Sequence, residues 1–378
     1  MFVLGSSLAY YWEVRTLGVK HRIRISHADL NAGKFDDVCH THRDYVDVIT
    51  DYVPRGIPHQ LLKDDHDDIT ESAGPDWYHR YHPWIELRDR AQWLSQVTNC
   101  RFIPSIGKTV EGRDIWALEC GCQSVTCPAI YLQAGIHARE FISSASVMGA
   151  LEHIMTTDAV ALTNHLTLLV VPLLNVDGYD YAWTKDRMWR KNRRVNQKSK
   201  CFGVDLNRNF DAHFGMTTDG ASSPNPCSET HNGHRAFSEP ETTAVRDYIT
   251  GTAQRIVAAI DFHSYSQLIL SPYGWCHFST TCDPPNEQRL WQVGETMKNV
   301  MQANYTNEHS SELYLTSGST DDWLYAGAHI PLAYTIELPD RGQYGFKLPP
   351  RYIVPTIHDV FESIRVLATL GDKPKNPY

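Results

Sequence analysis

Apolar positions along the chain alternate between two periods. Ile115–Cys120 and Ala129–Ala134 are short apolar runs of strand length, and Phe141–Met155 repeats apolar residues at helical spacing. Leu166–Leu174 is an almost unbroken apolar run, the pattern of a central strand covered on both faces. Ile256–Phe262 and Leu332–Leu338 predict further strands, and Glu287–Met301 and Ile357–Leu367 further helices. Ser238-Glu-Pro-Glu241 reads as a capping box with proline inside the first turn, opening a helix towards Tyr248. This alternation predicts a large, mostly parallel α/β sheet sandwiched by helices. Chemistry in such sheets sits beyond the carboxyl ends of the strands.

The first 75 residues lack this order. They end in Lys63-Asp-Asp-His-Asp-Asp-Ile-Thr-Glu71, then Ser72-Ala-Gly-Pro75, a dense charge run and a breaker that mark a boundary. The expected division is therefore a small unit over 1–75 and a large one over 76–378. Met1–Ala9 is apolar but has no basic flank, which makes a short, poor signal peptide.

Composition narrows the class. Of 378 residues, 42% are apolar, which excludes a disordered chain. Lys and Arg number 35 against 44 Asp and Glu, a net −9, which argues against a nucleic-acid partner. No apolar run reaches the ~18–20 residues of a membrane span. The nine Cys point to an oxidising compartment.

Candidate chemistry lies where a strand gives way to a helix. His137-Ala-Arg-Glu140 follows the Ala129–Ala134 strand directly. A His and a Glu three apart across such a turn can converge on one cation, and His263, closing another strand, supplies a third donor. Zinc favours these donors and leaves a position open for water in catalytic sites. Asp205 or Asp261 could hold the second nitrogen of a ligand imidazole.

Six segments occur in one order: Gly135–Phe141, Asp186–Asn192, Val204–Phe210, Asp261–Gln267, Leu313–Trp323 and Thr335–Leu338. Together they resemble the secreted zinc metallocarboxypeptidases of the pancreatic A/B type over residues 77–370. The resemblance implies an α/β fold with a mixed, twisted central sheet flanked by helices, preceded by a small α+β prosegment. It implies one Zn²⁺ held by His137, Glu140 and His263, with Asp205 orienting His137. Glu337 matches the catalytic glutamate and Arg190 the arginine that stabilises the developing oxyanion. Asn207 and Arg208 match the pair that binds the substrate's terminal carboxylate, Tyr314 the tyrosine that closes over it, and Arg139 an arginine of the outer groove. In the basic cluster of Arg187, Arg193 and Arg194, read as a solvated turn, only Arg187 is expected to reach substrate.

Specificity rests on Asp321, in the position before Asp-Trp where relatives that release apolar residues carry an aliphatic side chain. A carboxylate there implies B-type release of Arg or Lys, and Gly274 leaves the pocket wall small. A-type specificity and a processing role remain the alternatives. The expected partners are peptide C-termini, an activating trypsin-like protease cutting near Lys63 rather than Arg80, and proteinaceous carboxypeptidase inhibitors. A secreted monomer working in the gut is the expected setting. By the resemblance Cys201 pairs with Cys227; Cys276 and Cys282 close a short loop; Cys100, Cys120, Cys122 and Cys127 make two further bridges in an undecided order, with Cys39 left over. Asn304-Tyr-Thr306 is a glycosylation sequon. Pro339 departs from the family's usual arginine and bears on the strand exit after Glu337.

Overall fold

The computed structural model describes residues 77–371 except 123, 198, 253–254 and 278–281, together with three strands near the N-terminus. The chain divides into two units, Met1–His66 and Asp67–Tyr378. In the first, β1 (Phe2–Val3), β2 (Ala9–Thr16) and β3 (Val19–Ser26) form an antiparallel sheet. Lys63, Cys39 and the expected boundary at 75 lie outside the described residues.

The second unit is built on one eight-stranded sheet. Its strands are β4 (Arg101–Lys108), β5 (Asp114–Gly121), β6 (Ala129–Ala134), β7 (Thr167–Val171), β8 (Ile256–Ser264), β9 (Leu268–Ser271), β10 (Thr306–His309) and β11 (Ala333–Leu338). They lie in the order β10-β9-β11-β8-β6-β7-β5-β4. The central four, β11, β8, β6 and β7, run parallel, whereas β5 and β9 pair antiparallel to their inner neighbours. The mostly parallel sheet read from the apolar pattern is thus parallel at its centre and mixed overall, as the family resemblance implied.

Both faces of that centre are dry. Along β6, Ile130, Leu132 and Ala134 join one core with α1 (Trp84–Val97), α2 (Phe141–Thr156), α3 (Val176–Thr184), α5 (Glu287–Val300) and α6 (Ile353–Gly371). Ala129 and Tyr131 point to a second core with α4 (Pro240–Thr250). Burial on both faces explains why the central strands read as continuous apolar runs rather than alternating ones. The Leu166–Leu174 run yields only five strand residues, because its tail turns out of the sheet. Four disulfides fasten the unit: Cys100–Cys120, Cys122–Cys127, Cys201–Cys227 and Cys276–Cys282.

The expected capping box is not formed. Helix α4 starts at Pro240 with Glu239 as its N-cap, and no side chain caps it. The Ser238 hydroxyl donates to Glu239 Oε1 at 2.8 Å. Glu241 turns instead to other segments, accepting the Val110 N–H at 3.0 Å and Asn192 Nδ2 at 3.2 Å. The same Asn192 amide donates to Glu239 Oε2 at 2.8 Å, while its Oδ1 accepts the Val204 N–H at 2.8 Å. Tertiary partners have won over the local cap, and the buried acid pair anchors the two segments that carry Arg190 and Asp205.

Burial, with Glu239 beside it, pushes the Glu241 carboxyl up to about 8. An unfolded chain releases that proton at an ordinary pKa of about 4.3, so between the two values the native state holds more protons and stability falls as pH rises. Relative to Glu241→Gln, the wild-type protein should lose up to about 1.4 kcal/mol per pH unit across this window. Urea unfolding of both proteins at the two ends of the window measures it, and identical pH dependence in the two would show that Glu241 is ionised throughout.

Candidate active site

The site forms where three parallel strands end. Strand β6 stops at Ala134, and Gly135 takes φ 66°, in the left-handed region that favours glycine. A Cβ there would lie 2.6 Å from both Leu173 Cδ1 and Ser144 Oγ. The Gly135 N–H donates to Ser143 Oγ at 3.2 Å, and that hydroxyl donates to the Glu140 carbonyl at 2.8 Å. This turn throws His137 and Glu140 off the sheet end, with Glu140 as the N-cap of α2. His263 comes from β8, which continues to Ser264.

His137, Glu140 and His263 converge. Glu140 Oε1 lies 3.0 Å from His137 Nδ1, Glu140 Oε2 lies 3.2 Å from His263 Nδ1, and the two Nδ1 atoms are 3.1 Å apart. All three residues are buried. Their other nitrogens face carboxylates: His137 Nε2 is 3.1 Å from Asp205 Oδ1, and His263 Nε2 is 3.0 Å from Asp261 Oδ2. The Asp205 carboxylate at His137 Nε2 draws that imidazole's proton outward, and the two Nδ1 atoms are aimed at one point beside Glu140. Lone pairs meeting beside a carboxylate repel unless a cation lies between them, so the donor set fits zinc. Of the two alternatives in the sequence, Asp205 bonds His137, whereas Asp261 stands close to His263 Nε2 without an aligned hydrogen bond.

Asp205 does three jobs at once. Besides His137, its Oδ1 accepts the Asn207 N–H at 3.0 Å, and its Oδ2 accepts Arg190 Nη2 at 2.9 Å and Nε at 3.2 Å. Arg190 is buried, and its Nη1 sits 3.3 Å from His137 Nδ1. Glu337 lies on β11 in register with His263 on β8. Its Oε2 is buried without a hydrogen-bond partner among the described residues. Desolvation pushes its carboxyl up to about 8, with Glu140 adding to the shift and His263 and Arg190 opposing it.

Asn207 and Arg208 sit on one helical turn, Leu206–Arg208, that Asp205 caps. Arg208 is buried, its Nη1 donates to the Asn207 carbonyl at 2.7 Å, and its Nε has no partner among the described residues. The guanidinium lies 5.8 Å from the Tyr314 ring, which is 48% exposed. Gly318, at φ 75°, lets the loop after Tyr314 press onto this turn, since a Cβ would stand 2.5 Å from the Arg208 carbonyl oxygen. Asp321 and Asp322 follow, both buried. Asp322 accepts the Gly274 N–H with Oδ1 at 3.0 Å and Oδ2 at 3.1 Å, and burial beside Asp321 raises its carboxyl well above the usual range. Asp321 Oδ2 accepts the Ser310 hydroxyl at 2.7 Å, and its Oδ1 has no partner among the described residues. A Cβ on Gly274 would come within 2.1 Å of Thr316 Oγ1.

The basic cluster differs from its expected role. Arg187 donates to the carbonyls of Arg139 (2.7 Å) and Phe346 and covers the Phe141 ring, so it braces the groove rather than reaching out to substrate. Arg193 is no solvated turn residue; it stacks on Tyr181, Trp189 and Phe202. Arg139 lies over the Phe346 ring at 4.1 Å, with Nη1 bonded to the Met188 carbonyl. Pro339 is followed by Asp340, whose carboxylate accepts the N–H groups of Gly342, Tyr344 and Gly345 and so fixes the strand exit. Ser310, Thr320 and Asn192 escaped the sequence reading, because their partners are more than ten residues away and no spacing links them.

A buried His–Glu–His cation site at the carboxyl edge of a mixed sheet, with a desolvated glutamate in register beside it, defines a metallohydrolase. The chain belongs to the zinc carboxypeptidase family: the family model described as zinc carboxypeptidase matches residues 91–363. It is 37% identical to human carboxypeptidase B2 over 319 residues, 80% of this chain and 73% of that protein. To rat mast cell carboxypeptidase A it is 36% identical over 314 residues, 79% of this chain and 73% of the relative. Among solved structures, bovine thrombin-activatable fibrinolysis inhibitor in complex with tick carboxypeptidase inhibitor superposes with a TM-score of 0.70. That match is at 34% identity and covers 78% of this chain and 99% of that one. The protein is thus a metallocarboxypeptidase with zinc as its cofactor, and no described helix is long and apolar enough to cross a membrane.

Loss of an outer carboxylate should loosen the metal without removing a ligand. Asp261→Ala is expected to weaken zinc binding about 10–100-fold. Competition against a chromophoric chelator measures this, and unchanged affinity would remove Asp261 from the site.

Proposed function

We propose that the enzyme is a basic carboxypeptidase that removes C-terminal Arg or Lys from peptides. Asp321 carries this reading. It is buried at the end of the loop from Tyr314, with one oxygen held by Ser310 and the other uncommitted among the described residues. The adjacent Asp322 spends both oxygens on the Gly274 N–H, which leaves Asp321 as the acid available to a guanidinium or ammonium. Gly274 packs directly against Thr316, Ser310 and Asp322, which leaves no room for a side chain of its own in this wall. Named relatives include both A and B types, so Asp321 decides between them.

In this reading zinc, when bound, acidifies its water and polarises the scissile carbonyl. Glu337 Oε2 takes a proton from the attacking water and returns it to the leaving amine nitrogen. Arg190, held on Asp205, supplies fixed positive charge where the oxyanion develops. Asn207 and Arg208 bind the terminal carboxylate, which makes the enzyme an exopeptidase, and exposed Tyr314 closes over it. Arg139 borders the outer groove.

Residues 1–75 act in this reading as an inhibitory prosegment, with 76–378 as the enzyme. Arg80 is paired with Glu86 at 3.1 Å just after the Trp77–His79 turn, which favours activation at Lys63 by a trypsin-like protease. The relative described as thrombin-activatable, in complex with a tick inhibitor, supports both an activating protease and proteinaceous inhibitors as partners. Four disulfides and an exposed sequon at Asn304 support secretion into an oxidising medium, and a monomer working in digestion completes this reading.

Hydrolysis of peptides ending in Arg and in Phe compares the two specificities directly. Asp321→Ile should shift preference from basic towards aliphatic or aromatic C-termini, and an unchanged preference would sink the assignment. Glu337→Gln should retain zinc by metal analysis yet lose turnover by two to four orders of magnitude, about the worth of a positioned base. A Glu337→Gln enzyme of wild-type activity would move the base elsewhere.

A further inference from the structure

The orientation of the Asn207 amide is set by a residue of the specificity loop. Asn207 Oδ1 accepts two hydrogen bonds from Thr320, one from its N–H at 2.8 Å and one from its hydroxyl at 3.0 Å. An amide oxygen has two lone pairs, so both are used and the group cannot turn over. Its Nδ2 therefore points away from Thr320, with no partner among the described residues. Rotated by half a turn, the same side chain would present an oxygen, which repels a carboxylate.

We infer that Thr320 is a positioning residue: it fixes Asn207 with its N–H groups towards the substrate's terminal carboxylate. Because Asp321 follows directly, one short segment ties recognition of the C-terminal carboxylate to recognition of the C-terminal side chain. The inference rests on the proposed role of Asn207.

Thr320 is not needed to hold the loop in place. The Gly318 N–H donates to the Ala212 carbonyl at 2.8 Å, and the Phe210 N–H donates to the Gly318 carbonyl at 3.0 Å. The backbone at this position suits proline, since Thr320 is the first residue of the helical turn Thr320–Asp322 and Ser319 before it is extended at φ −77° and ψ 155°. Thr320→Pro removes both donors and sets its ring Cδ where the N–H met Asn207 Oδ1, so the amide must also move, whereas Thr320→Val removes only the hydroxyl.

The test uses the activated enzyme, with L-arginine and L-argininamide as competing ligands that differ only in the carboxylate. Phenylalanine and its amide take their place if phenylalanine binds more tightly. In Thr320→Pro, KM for a free-acid peptide should rise about tenfold, the order of two modest hydrogen bonds, with kcat within about twofold. The preference for arginine over argininamide should fall by the same factor. Thr320→Val should show about a threefold effect, and Thr320→Ser should restore wild-type behaviour. If Thr320→Pro does not fold, the contrast between Thr320→Val and Thr320→Ser carries the test. A wild-type ratio in the variants overturns the proposal, as does equal weakening of both ligands, the mark of a merely structural role. An Asn207→Ala enzyme whose preference for arginine over argininamide is undiminished overturns the carboxylate role of Asn207 itself, since Arg208 alone would leave only part of it, which separates the two failures.

Discussion

Two imidazole nitrogens 3.1 Å apart, both flanked by one carboxylate, form a buried donor set that a cation completes, and much of the fold serves to keep them there. Repulsion between the lone pairs would splay the side chains unless their backbones and outer nitrogens were fixed. Two parallel strands fix the backbones, and Gly135 supplies the left-handed step from β6 into the helix. Asp205 bonds the outer nitrogen of His137, and Asp261 stands beside that of His263. The four acids Glu140, Asp205, Asp261 and Glu337 surround a space whose nearest permanent positive charge is Arg190. A divalent ion is what such a charge balance lacks.

Asp205 makes the metal site and the oxyanion site one object. The same carboxylate orients His137, holds Arg190 by two nitrogens and caps the turn that presents Asn207 and Arg208. Losing it would displace a metal ligand, Arg190 and the Asn207–Arg208 turn together. Asn192 extends this economy outward: its amide locks the Arg190 and Asp205 segments onto the buried Glu239 and Glu241.

Much of this was legible in the chain because the relevant residues lie in short local segments. His137 and Glu140 share one turn, and Glu337 ends an apolar strand. The double-sided core made β6, β7, β8 and β11 visible as apolar runs. The polar four-residue strand β10 carried no such signal, since the two residues it buries, Asn307 and His309, are polar. The failed capping box at Ser238 shows the limit from the other side. Its local pattern was sound, but Glu241 found better partners in Val110 and Asn192, 131 and 49 residues away. Arg187 was misread for the same reason, because the carbonyls and the ring that hold it belong to distant segments, whereas Arg193 stacks on rings close to it in the chain, Tyr181, Trp189 and Phe202, that no charge pattern pointed to.

Catalytic and selective residues are held by different kinds of structure. The metal ligands and Glu337 sit on or beside central strands, where a shift of one residue would turn every side chain to the other face. Asp321 sits on a loop fastened by a few hydrogen bonds to the Asn207–Ala212 segment. Such a loop can exchange the side chain at position 321 without disturbing the sheet, so one catalytic framework can accept different C-terminal residues. The reading of the terminal carboxylate must survive that exchange. Hydrogen bonds from the residue just before Asp321 to the back of Asn207 allow this, because they tie the variable position to the constant one through a backbone that need not change.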